Sequence, residues 1–337
     1  MTAQLSTPLR FGIISFAHLH AAGYARCLQA NPETQLVAIA DEDAQRGQEW
    51  AQRLGVPWQL DYRELVLRDD IDAVIVTTEN VKHAATTIDA ARAGKHVLCE
   101  KPLSTTVADG RAMIEACRQA GVALGTAFPC RYLPAVSRVK EQVDAGKLGK
   151  LLAIAGTNQG RMPGGWFIDK ALSGGGAVMD HTVHVADLIR WLTGAEFADV
   201  YCEADMLFHD IGIDDSGLLS FSLTDGTICT LDCSWSRLPH YPTWGGITLN
   251  LVGTDGYVSI DAFKQMIEVY NEEPRASWVN WGSDMDYLMI QDFTRRVSRG
   301  DKPAITGEDG LRAVELALGA YRSAETHQPV KLPLEER

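Results

Sequence analysis

The sequence is short of positive charge, cysteine motifs and long apolar runs, and each shortage removes a class of function. Lys and Arg number 31 against 44 Asp and Glu, a formal charge of −13. Such a field repels phosphate backbones and anionic lipid, which argues against non-specific partnership with nucleic acid or a membrane surface. No stretch approaches the roughly 20 apolar residues of a membrane-spanning helix. The run Phe11–Ala17 stops at His18, too short for most secretory leaders, so a cytoplasmic protein is expected. Cys27, Cys99, Cys117, Cys130, Cys202, Cys229 and Cys233 form no C-x-x-C pair and are odd in number, which points to reduced thiols. Internal repeats, low-complexity tracts and long linkers are also missing.

What is present reads as an ordinary globular chain of about two domains. Short apolar runs at Phe11–Ser15, Leu36–Ala40, Ala73–Thr77, His96–Cys99 and Val122–Gly125, with a weaker one at Val56–Leu60, alternate with helix-like segments. Those segments are Ala21–Ala30, Ala44–Leu54, Val81–Ala93 and Thr106–Ala120, and Gly55, Gly94 and Gly121 stand at helix stops. Continuous apolar strands separated by helices predict a doubly wound parallel α/β sheet, with a domain over residues 1–127. The rhythm then changes. Helices at Ala135–Ala145, Ala177–Leu192, Met285–Arg299 and Gly310–Ala324 surround extended runs at Leu151–Thr157, Val200–Met206, Gly217–Leu223, Thr227–Trp235, Ile247–Val252 and Tyr257–Ile260. Asp225-Gly226 and Asp255-Gly256 read as hairpin turns. Residues 128–337 are therefore expected to form an α+β domain with a largely antiparallel open sheet.

In a doubly wound sheet, ligands bind beyond the carboxyl ends of the strands. The first such end reads Ser15-Phe16-Ala17-His18-Leu19-His20, where a dinucleotide-binding G-x-G-x-x-G loop would carry glycines at the positions of Ser15, Ala17 and His20. Asp41 ends the second strand, about 20 residues on, where a carboxylate accepts ribose hydroxyls and repels a 2′-phosphate. With Glu42 and Asp43 adjoining, NAD is favoured over NADP. Thr77-Thr78-Glu79-Asn80 and Glu100-Lys101-Pro102 end the fourth and fifth strands, and the Lys101-Pro102 bond is open to either isomer. Farther on, three glycines precede a helix that carries Asp180, His181 and His184. Glycines there admit a second backbone or a flat ligand, and Asp180 and His184 share one helix face.

Together these residues resemble the Gfo/Idh/MocA family of sugar and cyclitol oxidoreductases. The resemblance rests on Val37–Asp41, Ile71–Thr78, Ala93–Pro102 with its E-K-P tip, and Gly174–Trp191, with weaker echoes at Gly253–Gly256 and in the closing helix with Tyr321 and Ser323. It implies a Rossmann domain followed by an α/β domain whose open sheet makes a homodimer or homotetramer. It implies Lys101, Asp180 and His184 as catalytic residues, and Asn80 and His83 beside the loop and strand-tip residues as cofactor contacts. A neutral His suits removal of a hydroxyl proton, and a Lys suits stabilising negative charge on the substrate oxygen. Lys101, Arg161, Trp166, Asp180, His181 and His184 are the expected substrate contacts. Phe167, Trp235, His240, Tyr241 and Trp244 are candidates to stack on a sugar ring. The chain departs from the family pattern in the loop, at Glu79 in place of proline, and at Thr182 in place of the glycine of D-x-G-x-H.

The expected activity is hydride transfer between NAD(H) and a secondary alcohol carbon of a sugar, cyclitol or related polyol. Two rivals remain at this point: glycoside cleavage through transiently reduced bound NAD, and a cofactor-less binding or sensor protein of the same fold. A metal site built from His18, His20, His181, His184 and Asp180 is not expected, because ligands must converge within about 2.0–2.3 Å of one zinc ion. His18 or His20 is expected instead to donate to a phosphate oxygen or to the substrate.

Overall fold

The computed structural model describes residues 7–241, 243–269, 277–280 and 282–335. The chain divides into two compact units, Met1–Pro129 with Met285–Leu311, and Cys130–Asp284 with Arg312–Arg337. The first unit thus includes a late return of the chain, which a single division at 127/128 does not contain.

In the first unit β1 (Leu9–Ile14), β2 (Thr34–Ala40), β3 (Trp58–Gln59), β4 (Ala73–Val76), β5 (His96–Cys99) and β6 (Leu124–Thr126) form one parallel sheet in the order β3-β2-β1-β4-β5-β6. Every residue of β4 is buried, which is why its run is apolar without alternation. The connecting helices are α1 (Ala21–Ala30), α2 (Ala44–Leu54), α3 (Tyr62–Val66), α4 (His83–Arg92) and α5 (Val107–Ala120). Their ends follow local chemistry. Asp43 caps α2 by accepting the Arg46 amide at 3.0 Å, and Thr106 caps α5 by accepting the Asp109 amide at 3.1 Å. Gly55 and Gly121 close the same two helices in the left-handed region. The helix expected from Val81 begins at His83, after a turn of 3₁₀ helix at Asn80–Lys82. Short α3 was not anticipated.

The second unit is built on a seven-stranded sheet. After α6 (Pro134–Asp144) come β7 (Leu151–Gly160), α7 (Lys170–Ser173), α8 (Ala177–Thr193), β8 (Phe197–Asp205), β9 (Ser216–Leu223), β10 (Ile228–Ser234), β11 (Gly245–Gly253) and β12 (Tyr257–Asp261). A separate hairpin joins β13 (Met266–Val269) to β14 (Ser277–Asn280). The chain returns to the first unit as α9 (Met285–Ser298), where Phe293 meets Phe11 and Arg295 pairs with Glu33 at 2.7 Å. It ends with α10 (Gly307–Thr326) and β15 (Val330–Lys331). Sheet order is β12-β11-β7-β10-β9-β8-β15, antiparallel throughout except for the β7–β10 pair. Apolar α8 packs on one face of this sheet. The other face leaves Leu218, Ile228, Val252 and Tyr257 exposed. Among the described residues no helix is long and apolar enough to cross a membrane. All seven cysteines are buried and free of disulfides.

Candidate active site

Register places the nucleotide-end residues. Ile14 pairs with Ala40 and with Val76, and Val76 pairs with Cys99, so these four strands stop in line. The next residues, Ser15, Asp41, Thr77 and Glu100, emerge side by side. Ser15 adopts φ = 75°, the left-handed conformation for which glycine is the usual residue. Its amide donates to the Ala40 carbonyl at 2.7 Å, its carbonyl accepts the Thr77 hydroxyl at 2.7 Å, and its own hydroxyl accepts the Ala17 amide at 3.0 Å. The loop therefore keeps the glycine-type turn without the glycine. Asp41 is buried, and its carboxylate accepts the Phe16 amide at 2.7 Å and both arms of Arg46 at 2.8 and 2.7 Å. Ser15, Asp41, Glu42, Tyr62, Glu79 and Lys82 are among the residues around a cavity of about 220 Å³ beyond these strand ends. His20, the residue before α1, makes no side-chain cap bond of its own. The lined hollow fits the adenosine portion of a dinucleotide.

A second cluster forms at the β5 tip. The Glu100 carboxylate is fully buried and meets the Tyr24 hydroxyl at 2.5 Å, His20 Nδ1 at 2.8 Å and the Lys101 amide at 2.8 Å. His18 Nδ1 lies 3.7 Å from the same carboxylate and accepts the His20 amide at 3.2 Å. Although burial works against the charge, the surrounding His18, His20 and Lys101 hold Glu100 well below the usual carboxylate range. Burial also opposes charge on His20, but Glu100 outweighs it and raises the His20 pKa. His18, His20 and Glu100 lie close enough to suggest a metal. Within this group Glu100 Oε1 receives Tyr24 and His20, and His18 is joined to it through the His20 amide. His83 is wholly buried, with Nδ1 2.9 Å from the Pro102 carbonyl and Nε2 3.3 Å from the Thr78 carbonyl, and burial lowers its pKa. It ties the β4 and β5 tips together. Asn80 is buried at the start of that segment, Leu19 is exposed, and Lys101 is buried before a cis bond to Pro102.

In the second unit Gly175 and Gly176 make room for other parts of the chain, while Gly174 closes α7 in the left-handed region. A side chain on Gly176 would place its Cβ 1.8 Å from the Asp214 carbonyl, and one on Gly175 would lie 2.3 Å from the Tyr321 hydroxyl. Asp214 accepts the Gly176 and Val178 amides at 3.0 and 2.9 Å, so it caps α8 from a distant loop. One turn into α8, Asp180 accepts the Trp235 indole N–H at 3.1 Å and faces His181 Nε2 at 3.3 Å. His181 Nδ1 meets the Asn158 carbonyl at 3.0 Å, and the Asn158 amide returns a bond to the His181 carbonyl at 2.9 Å. His184 lies half-buried one turn beyond Asp180.

The aromatic candidates separate by burial. Trp235 is wholly buried, so it orients Asp180 and does not stack on a sugar. Phe167 is buried under Trp166, ring on ring at 3.9 Å, while Trp166 stays half-exposed. His240 and Trp244 are exposed, and Tyr241 lies beneath the Arg237 guanidinium at 3.7 Å. Arg161 donates through its side chain to the Tyr241 carbonyl and through its amide to the Trp244 carbonyl at 2.9 Å.

Comparison with known proteins identifies the family. Residues 9–128 match the oxidoreductase family with a NAD-binding Rossmann fold, and residues 136–259 match the GFO/IDH/MocA C-terminal domain. The chain belongs to the Gfo/Idh/MocA oxidoreductase family. Myo-inositol 2-dehydrogenase of Thermotoga maritima is 29% identical, over 96% of this chain and 98% of that one. D-xylose 1-dehydrogenase (NADP(+)) 2 of Haloferax volcanii is 28% identical, over 96% and 100%. GenD2 from gentamicin A biosynthesis, solved in complex with NAD, superposes with a TM-score of 0.90 at 26% identity, over 98% of each chain. The protein is an oxidoreductase with a NAD-binding Rossmann domain.

The departures from the Gfo/Idh/MocA pattern now have local explanations. His20, at the third glycine position, has helical φ = −75° as the residue before α1, so its backbone does not need glycine. Glu79 pairs with Lys82 at 3.1 Å. Thr182 is buried on the sheet side of α8, with its hydroxyl 3.5 Å from Cys233 Sγ. Sequence reasoning missed Arg46, Tyr24 and Asp214. Arg46 lies one helical turn past the Asp43 cap and was available as a signal; the other two depend on chain crossings.

Proposed function

We propose that this oxidoreductase moves a hydride between NAD(H) and a secondary alcohol carbon of a sugar, cyclitol or related polyol. The observation that carries the reading is Asp180, held by the Trp235 indole and faced by His181, on the same helix face as His184. A carboxylate fixed in this way is set to orient a hydroxyl or an imidazole. Bound NAD supplies the hydride acceptor. Neutral His184 takes the hydroxyl proton, Lys101 stabilises the negative charge on the substrate oxygen, and Asp180 holds the donor geometry. In the reduction direction the same groups return the proton. His181 acts through Asp180, and Trp166 and Arg161 are proposed substrate contacts. Ser15 to His20, Asp41, Thr77, Thr78, Asn80, His83 and Glu100 form or support the cofactor site. Relatives named for myo-inositol and D-xylose support a polyol substrate. The open sheet face, with Leu218 and Ile228 exposed, supports assembly as a homodimer or homotetramer.

The test is a screen of inositols, aldoses and anhydrosugars with NAD, following NADH by absorbance. Stoichiometric NADH with one group of polyols is expected, and Lys101→Met should lower kcat by about 100-fold or more while cofactor binding persists. Full turnover by Lys101→Met, or substrate conversion without net NADH, would overturn the reading.

A further inference from the structure

In sequence, Asp41 with Glu42 and Asp43 adjoining favours NAD over NADP. Each of them has a partner in the fold. Asp43 caps α2 through the Arg46 amide at 3.0 Å. Glu42 pairs with Lys82, which also reaches Glu79 at 3.1 Å. Asp41 pairs with the Arg46 guanidinium through two bonds of 2.8 and 2.7 Å.

Asp41 is also saturated as an acceptor. A carboxylate offers about four lone-pair positions. Arg46 Nε and the Phe16 amide occupy Oδ2, and Arg46 Nη2 and the Asp43 amide occupy Oδ1. Ribose hydroxyls seeking this carboxylate must displace one of those donors. Meanwhile the Asp41 side chain is wholly buried and that of Arg46 is 30% exposed, so the cation lies on the solvent side of the pair. Arg46 uses two of the roughly five N–H donors of a guanidinium on Asp41, leaving others for an oxyanion. Lys82, on the wall of the adjoining cavity, is already taken by Glu42 and Glu79, so Arg46 is the cation offered to the oxyanion.

We propose that Arg46 is a selectivity residue that lets the adenosine site accept a 2′-phosphate, so that NADP(H) binds alongside NAD(H). This rests on the reading that the cavity holds the adenosine of a nicotinamide dinucleotide.

Calorimetric titration of the full-length, cofactor-stripped protein with NAD, NADP and adenosine 2′,5′-bisphosphate tests it. Wild-type protein should bind NADP within about tenfold of NAD, and Arg46→Gln should lower the NADP-to-NAD affinity ratio by about ten- to hundredfold. Arg46→Lys keeps the charge without the paired geometry, so its ratio should fall by less than that of Arg46→Gln. It also serves as the reporter if the glutamine variant fails to fold. Wild-type NADP binding more than about a hundredfold weaker than NAD, or a ratio unchanged in both variants, overturns the role of Arg46. Binding of neither dinucleotide by the wild type overturns the underlying cofactor reading, and the proposal with it.

Discussion

The Tyr321 hydroxyl donates to the Asp214 carboxylate at 2.9 Å and itself accepts the Gly176 amide at 2.9 Å. This contact, from α10 to the loop before β9, closes the N-terminus of the helix that carries Asp180 and His184. It also explains two of the three glycines, because the approach of Asp214 and Tyr321 leaves no room for side chains at Gly175 and Gly176. Burial pushes the Asp214 carboxyl up, and burial beside Asp214 holds the Tyr321 hydroxyl protonated.

Tyr321→Phe removes one donor and leaves the Met179 amide, now 3.2 Å from that oxygen, without this acceptor. A loss of about 1–3 kcal/mol in urea denaturation is expected. Gly176→Ala must move the Asp214 backbone and should cost more. An alanine variant as stable as the wild type would show that the glycine is not required by this approach.

The His20–Glu100 pair gives a pH dependence with a definite sign. His20 is raised above its ordinary 6.5, so its stabilisation is complete below that pH and is lost as pH rises through the folded value. Glu100 is depressed below its ordinary 4.5, so its stabilisation is present above that pH and is lost as pH falls through the folded value. The two overlap between pH 4.5 and 6.5. Relative to His20→Asn, the wild type should have its largest stability advantage there and a shrinking one on the alkaline side. Denaturation midpoints across pH check this, and a constant difference would refute the pairing.

Arg131 and Asp187 form a buried ion pair, with the Arg131 Nε bond at 2.8 Å and side chains 7% and 1% exposed. Removing one partner leaves the other charge buried, so Asp187→Ala should destabilise the second unit by about 3–5 kcal/mol. A thermal or urea midpoint near that of the wild type would mean that Arg131 finds water or another acceptor.

Ser15 offers a comparison between two small substitutions. Ala in the left-handed region keeps a strain of about 1–2 kcal/mol and loses the hydroxyl bond to the Ala17 amide. Gly loses the same bond but relieves the strain. Ser15→Gly should therefore be more stable than Ser15→Ala by about 1 kcal/mol. Equal stability of the two would place the loop in another conformation in solution.

The alternation of apolar strands and glycine-stopped helices was sufficient to anticipate the doubly wound sheet. Helices Ala21–Ala30 and Ala44–Leu54 have the bounds that their periodicity predicts, and Asp225-Gly226 does join an antiparallel pair. These features rest on interactions within a few residues of chain, so a linear reading contains them. The alignment of Ser15, Asp41, Thr77 and Glu100 follows from the same parallel topology, and the D-x-x-x-H spacing put Asp180 and His184 on one face. The partners of those residues were decided only by the tertiary structure. Tyr24 reaches Glu100 from α1, Trp235 reaches Asp180 from the end of β10, and Asp214 reaches Gly176 across the α8 N-terminus. Strand β7 runs parallel to β10, and α9 returns to the first unit. A buried donor or acceptor takes whichever partner the crossing of distant segments brings within about 3 Å. Local composition specifies how each segment folds, but not which segment will lie beside it.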